Sequence, residues 1–242
     1  IRPDIVVHMA ALPLANIAIE YTEEANASIL QSTMNLMEII SDADWQCRLV
    51  YISSSMVYGD FETSTVDEIS ATNPKEIYGS LKLCGEIMVN AYHKIKELDS
   101  VIIRPSAIYG PYDANGRVVQ KFINCAKNNS PVEIIGDGSN TMDFTFRNDV
   151  ARGIYLASIT PGIGGETFNI TYGQARSLTD LVKCVKKHYP EMECIYTPKP
   201  KHVPTRGTLS VEKAKKMLGY APQYDLETGV SEYVKHLEVN SY

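Results

Sequence analysis

The chain has 242 residues, 44% hydrophobic and 21% charged, enough to bury a substantial core as one domain with a smaller appended lobe, in the composition range of ordinary soluble proteins. A net charge of −6 argues against binding a phosphate backbone as the main role, because nucleic-acid domains carry a basic face. No apolar run approaches the roughly 20 residues that cross a bilayer, and the N-terminus lacks the layout of a secretion signal.

The five cysteines, Cys47, Cys84, Cys125, Cys184 and Cys194, form no Cys-x-x-Cys pair. They suit reduced thiols, so a cytoplasmic setting is expected.

In chain order, the apolar run from Ile5 to Ala11 predicts a parallel strand covered on both faces. His8 inside it is expected to be a hydrogen-bonded core residue, and no metal site is predicted. Ala25, Ile29, Met34, Leu36, Met37 and Ile40 give a helical pattern over 19–40, with Ser41-Asp42 as its stop. A strand over 48–54 and a polar loop over 60–73 lead to a helix with Ile77, Leu81, Cys84, Ile87, Met88, Ala91 and Ile95 on its apolar positions.

A strand over 100–104 is followed by a turn-rich segment to 115 and a helix over 116–128. Then come a strand at Val132–Ile135, a turn cluster over 136–141, a helix over 148–158 and a strand over 167–170. Ser177 is placed to cap a helix running to Lys187. The stretch 190–204, with four prolines, reads as an extended connection. Helical segments over 210–218 and 226–236 close the chain.

Strands alternating with helices predict an α/β fold, a doubly wound parallel sheet with a smaller C-terminal lobe. The boundaries expected are 1–104 plus 147–162 for the dinucleotide-binding part, and 105–146 plus 163–242 mainly for a substrate-binding lobe.

The chemistry centres on Tyr78 and Lys82, four residues apart and therefore on one side of their helix. A phenol with an ordinary pKa near 10 is a poor base at neutral pH, but a fixed cation favours the phenolate. A serine at the carboxyl end of a neighbouring strand could hold a substrate hydroxyl within reach of it. Removing that proton is half of an alcohol oxidation. The other half needs a hydride acceptor that no side chain supplies, which implies a nicotinamide cofactor.

Ser53-Ser54-Ser55-Met56-Val57-Tyr58-Gly59, then Tyr78-x-x-x-Lys82, then Arg104-Pro105-Ser106-Ala107-Ile108-Tyr109-Gly110-Pro111 together resemble the extended short-chain dehydrogenase/reductase family, in particular its nucleotide-sugar epimerases and dehydratases. The resemblance covers nearly the whole chain. It implies a catalytic set of Ser54, Tyr78 and Lys82, and NAD held by Ala10, Ala11, Ser53, Tyr78, Lys82 and Pro105. It also implies a nucleotide-diphosphate sugar touched by Ser54, Ser55 and Arg206, and a homodimer formed through the helices near 19–40 and 76–97.

Several positions depart from the family pattern. Ile29 and Ala107 stand where asparagines are usual. Met142 replaces an arginine that binds the diphosphate, leaving Arg147 or, better, Arg206 for that task. Ser55-Met56 replaces the Asp-Glu pair of the dehydratases, which disfavours dehydration. The first glycine is Gly59, so the glycine-rich opening of a dinucleotide fold is not in the sequence, which begins near the family's fourth strand, as expected of a truncated chain or a degenerate relative. The reading is a 4-epimerase, with a 4-ketoreductase or a non-catalytic nucleotide-binding module as alternatives.

Overall fold

The computed structural model describes residues 2–12, 15–42, 46–198 and 204–239. Four parallel strands form the main sheet in sequence order: β1 (Ile5–His8), β2 (Arg48–Ile52), β3 (Ser100–Pro105) and β4 (Thr167–Ile170). His8 pairs with Tyr51, Ile52 with Ile103, and Pro105 with Ile170, so neighbouring strands end nearly level.

The longer helices are α1 (Ala15–Glu20), α2 (Thr22–Asn26), α3 (Ser32–Asp42), α4 (Ile77–Lys96), α5 (Val118–Lys127), α6 (Arg147–Ile159), α7 (Leu178–Lys186), α8 (Glu212–Leu218) and α9 (Leu226–Val239).

Side chains alternate along the strands, and the two faces meet different helices. Leu49 and Tyr51 of β2 and Ile102 of β3 pack with Met37 and Ile40 of α3 and Val89 of α4. Val50, Ile52, Val101 and Ile103 turn the other way, against Ala157 of α6 and Ala214 and Leu218 of α8. The approach of α4 is close because residue 85 is glycine: a Cβ there would stand 2.2 Å from the Tyr51 hydroxyl. The α/β, parallel-sheet expectation is borne out.

Several expectations are corrected. The single helix expected over 19–40 is instead α1, α2, a π-helical turn at Ala27–Gln31, and α3. Ser28 donates to the carbonyl of Ala25, Ser32 to that of Ser28 and Thr33 to that of Ile29. Such back-bonding competes with the regular ladder and distorts it.

β1 is not covered on both faces. It has a paired neighbour on one side among the described residues, and Ile5 and Val7 are each 38% exposed. His8, in contrast, is buried and hydrogen-bonded to Thr33 at 2.9 Å, as expected.

The extended connection over 190–204 contains a strand, Cys194–Thr197, paired in parallel with Val132–Ile135. The prolines at 190 and 198 flank that strand without interrupting it, which is where a missing N–H is tolerated.

A second core gathers Phe122 and Ile123 of α5, Ile134, Leu181 and Val185 of α7, and Val230 and Tyr233 of α9. Ser177 closes a capping box with Asp180 at the start of α7. β4 and α8, assigned from sequence mainly to this lobe, belong to the main sheet and its cover, because β4 takes its ladder from β3. Among the described residues no helix is long and apolar enough to cross a membrane, and no cluster of three or more His, Cys, Asp or Glu could hold a metal ion.

Candidate active site

A cavity of about 280 Å³ opens at the carboxyl ends of the strands, the place where open α/β sheets bind ligands. β2 delivers Ile52, Ser53 and Ser54 to it, α4 delivers Tyr78 and Lys82, and Pro105 arrives from β3. After Ser54 the chain turns through a 3₁₀ segment, Ser55–Tyr58, whose first turn is capped by the Ser54 hydroxyl accepting from the Met56 N–H at 3.2 Å. Gly59 ends that turn at φ +70°, where a Cβ would lie 1.9 Å from the Asn73 carbonyl oxygen. The sequence therefore places Ser54 by a glycine-dependent turn and Tyr78 by the helix that Gly85 lets onto Tyr51.

The Lys82 ammonium donates to the Ile52 carbonyl at 2.7 Å and lies 5.9 Å from the centroid of the Tyr78 ring. Burial pulls its pKa down to about 8, opposed by the charge of Glu86. Burial likewise raises the Tyr78 phenol above its ordinary value, opposed by Arg117 and by the Ser54 hydroxyl. Arg117 is thus a second cation facing the phenol, beside the Lys82 ammonium that the sequence placed there. Arg206 reaches the same cavity and touches the Met56 sulfur. Burial lowers its pKa, against the charge of Glu76.

The sequence profile of the NAD dependent epimerase/dehydratase family matches residues 1–171. The chain belongs to that family. Epimerase/dehydratase relatives match it almost end to end. A putative UDP-glucose 4-epimerase of Methanocaldococcus jannaschii is 30% identical over 245 residues, covering 98% of this chain and 78% of that protein. A UDP-glucuronate 4-epimerase of Thermodesulfobacterium geofontis is 27% identical over 239 residues, covering 97% of this chain and 72% of that one. The UDP-glucuronic acid 4-epimerase of Bacillus cereus, solved in complex with UDP-glucuronic acid and NAD, superposes with a TM-score of 0.92 at 27% identity, covering 98% of this chain and 76% of that one.

For an epimerase/dehydratase family member, the residues present fit the nicotinamide end of NAD. Lys82 uses one of its three N–H donors on Ile52, leaving two for ribose hydroxyls, and Ala11, Ile52 and Pro105 give an apolar flank. Of the residues expected from sequence, Ala11, Ser53, Ser54, Ser55, Tyr78, Lys82, Pro105 and Arg206 all line the cavity. Ala10 does not; it is exposed beside the cavity wall. The Ser53 hydroxyl donates to Glu86, which leaves its oxygen to a cofactor only as an acceptor. Arg147 is elsewhere, donating to the Pro111 carbonyl at 2.7 Å and stacked on Tyr112.

Sequence reasoning missed Arg117, which it hid inside a helix, and Glu86, whose signal was its place one turn beyond Lys82. A larger cavity, about 900 Å³, lies at the opposite ends of the strands. There Arg48 pairs with Asp99 and caps carbonyls of Ala157, Ser158 and Thr160, a structural task.

Proposed function

We propose that the protein is an NAD-dependent nucleotide-sugar 4-epimerase working through a transient 4-keto sugar. The observation that carries this reading is the convergence of Ser54, Tyr78 and Lys82 on one cavity whose other charged lining residues, Arg117 and Arg206, are both cationic. On a chain of net charge −6, a pocket with three cations and no carboxylate among its described lining residues suits an anionic ligand, and a guanidinium fork suits a diphosphate. The relatives that act on UDP-sugars support the same substrate class.

Tyr78 in its phenolate form accepts the proton of the sugar 4-hydroxyl, which Ser54 holds within hydrogen-bonding reach. NAD, when bound, would supply reversible hydride acceptance at carbon 4. Lys82 would hold the nicotinamide ribose with its remaining N–H donors and keeps a positive charge beside the phenolate. Once the 4-keto sugar presents its other face, Tyr78 would return the proton to the 4-oxygen. Eliminating water would need an acid and a base after Ser54, where Ser55 and Met56 stand, so the dehydratase reaction is not favoured.

The test is Tyr78→Phe with UDP-glucose and UDP-glucuronic acid as substrates. General-base loss of about 100-fold or more in turnover is expected, with UDP binding retained and no external reductant consumed by the wild type. Near-normal turnover in Tyr78→Phe would sink the assignment, and stoichiometric use of reduced cofactor would favour the ketoreductase.

A homodimer is proposed from exposed apolar residues on two helices. Ile39 of α3 and Ile87 and Ile95 of α4 are 63%, 58% and 77% exposed, and two copies pairing there would bury them. Light scattering of wild type against Ile87→Lys decides it. None of the five cysteines forms a disulfide among the described residues, which supports a reducing compartment such as the cytoplasm.

A further inference from the structure

One turn beyond Lys82, on the same face of α4, stands Glu86, 2% exposed. Its carboxylate accepts from the Ser53 hydroxyl at 2.5 Å and from Arg104 through Nε at 2.9 Å and Nη2 at 2.6 Å. Arg104 is fixed in turn. It donates to the Tyr58 hydroxyl at 3.0 Å and to the Glu68 carbonyl at 3.3 Å, and Tyr58 donates to Asn169 of β4 at 2.8 Å.

Two successive residues at the end of β2 are thus gripped by residues on successive turns of α4, Ile52 by Lys82 and Ser53 by Glu86. The next residue is Ser54. A buried ion pair is a poor source of stability, since apolar groups of similar volume often serve as well or better, so the reason for this one is sought in what it positions.

We propose that Glu86 is a positioning residue of the catalytic set: its charge, anchored by Arg104, keeps Lys82 an ammonium, and its hold on Ser53 aligns Ser54 with Tyr78. This rests on the reading of Tyr78 as the base. The titratable and charged groups facing Lys82 are Tyr78 and Glu86 on α4, Tyr51 on β2 with its ring 5.2 Å from the ammonium, His8 on β1, and Arg104 on β3 behind Glu86. Arg117 lines the same cavity. Among the described residues Glu86 is the carboxylate whose charge reaches the ammonium.

The test follows the Lys82 side chain directly, by NMR titration of the full chain labelled with ¹³Cε-lysine, the resonance being assigned by its loss in Lys82→Arg. Glu86→Gln should lower the Lys82 midpoint by about one pH unit or more, and the basic limb of the kcat profile should move down with it. Glu86→Asp, which keeps the charge and Arg104's partner, should hold the midpoint within a few tenths of a unit while kcat falls several-fold.

An unmoved midpoint in Glu86→Gln, or an equal fall in both variants, overturns the proposal. Should Glu86→Gln fail to fold, Ser53→Ala leaves the ion pair intact. It should lower kcat about ten-fold at unchanged KM and melting temperature, and unchanged kcat there overturns the proposal too. Because the NMR readout needs no turnover, failure of the epimerase reading appears separately, as normal turnover in Tyr78→Phe.

Discussion

Lys82 gives its ammonium to the main-chain carbonyl of Ile52, 2.7 Å away, and not to the phenol of Tyr78, whose ring centroid is 5.9 Å off. The lysine therefore does two things at once. It ties α4 to the end of β2, and it places a dry cation near the base without neutralising itself on it. The cost is visible in its acidity, since burial brings the ammonium down to about 8.

That acidity fixes a pH dependence of stability. Lys82 loses its proton near pH 8 when folded and near 10.4 when unfolded. Between those values the unfolded chain holds more protons, so the penalty of burying the charge is full below pH 8 and fades as pH rises to about 10.4. Relative to Lys82→Met, the wild type should gain on the order of a few kcal/mol between pH 7 and pH 10. Urea melts of both proteins at the two pH values measure it, and a constant difference would contradict the account.

Arg206 is a cation crowded by protein, with the Met56 sulfur as its contact. If a diphosphate completes it, Arg206→Met removes charge-assisted hydrogen bonds of about 1.5–3 kcal/mol. UDP affinity by calorimetry should then fall roughly 10- to 100-fold. Arg147→Met should leave it unchanged, because Arg147 serves Pro111 and Tyr112 outside the cavity.

Gly85→Ala tests the seating of α4. In a free helix alanine would add about 1 kcal/mol, yet here the new methyl would meet the Tyr51 hydroxyl at 2.2 Å. Helix and strand must part, carrying Tyr78 and Lys82 away from Ser54. A lower melting temperature together with a lower kcat is expected. A more stable, fully active variant would mean that α4 has slack.

What the sequence disclosed and what it hid divide along physical lines. Tyr78 and Lys82 were legible because helical spacing is a local property, and Val132–Ile135 and Thr167–Ile170 because short apolar strands bounded by turns are too. The open face of β1 was not, since an apolar run looks alike whether or not something covers it. Glu86 and Arg104 lie 18 residues apart and meet only through the register of α4 on β3. Arg206 was named for its chemistry, and the fold then brought it to Met56, 150 positions upstream.

Arg117 is the residue whose importance only the folded chain reveals. It sits at the N-cap of α5, pairs with Asp113 at 3.5 Å, and lines the same cavity as Tyr78. Burial raises the Tyr78 phenol and the Arg117 charge opposes that rise. Replacing it by methionine leaves burial unopposed by that charge, so the phenol should hold its proton to higher pH. The acidic limb of the kcat profile should then move upward. Arg206→Met should leave that limb in place, because the charge it faces is Glu76 and not the phenol. Measuring kcat from pH 7 to about 11.5 for the wild type and both variants separates the two arginines: an upward shift in Arg117→Met alone assigns it to the base, whereas equal shifts in both variants, or none, would place it with the substrate phosphates.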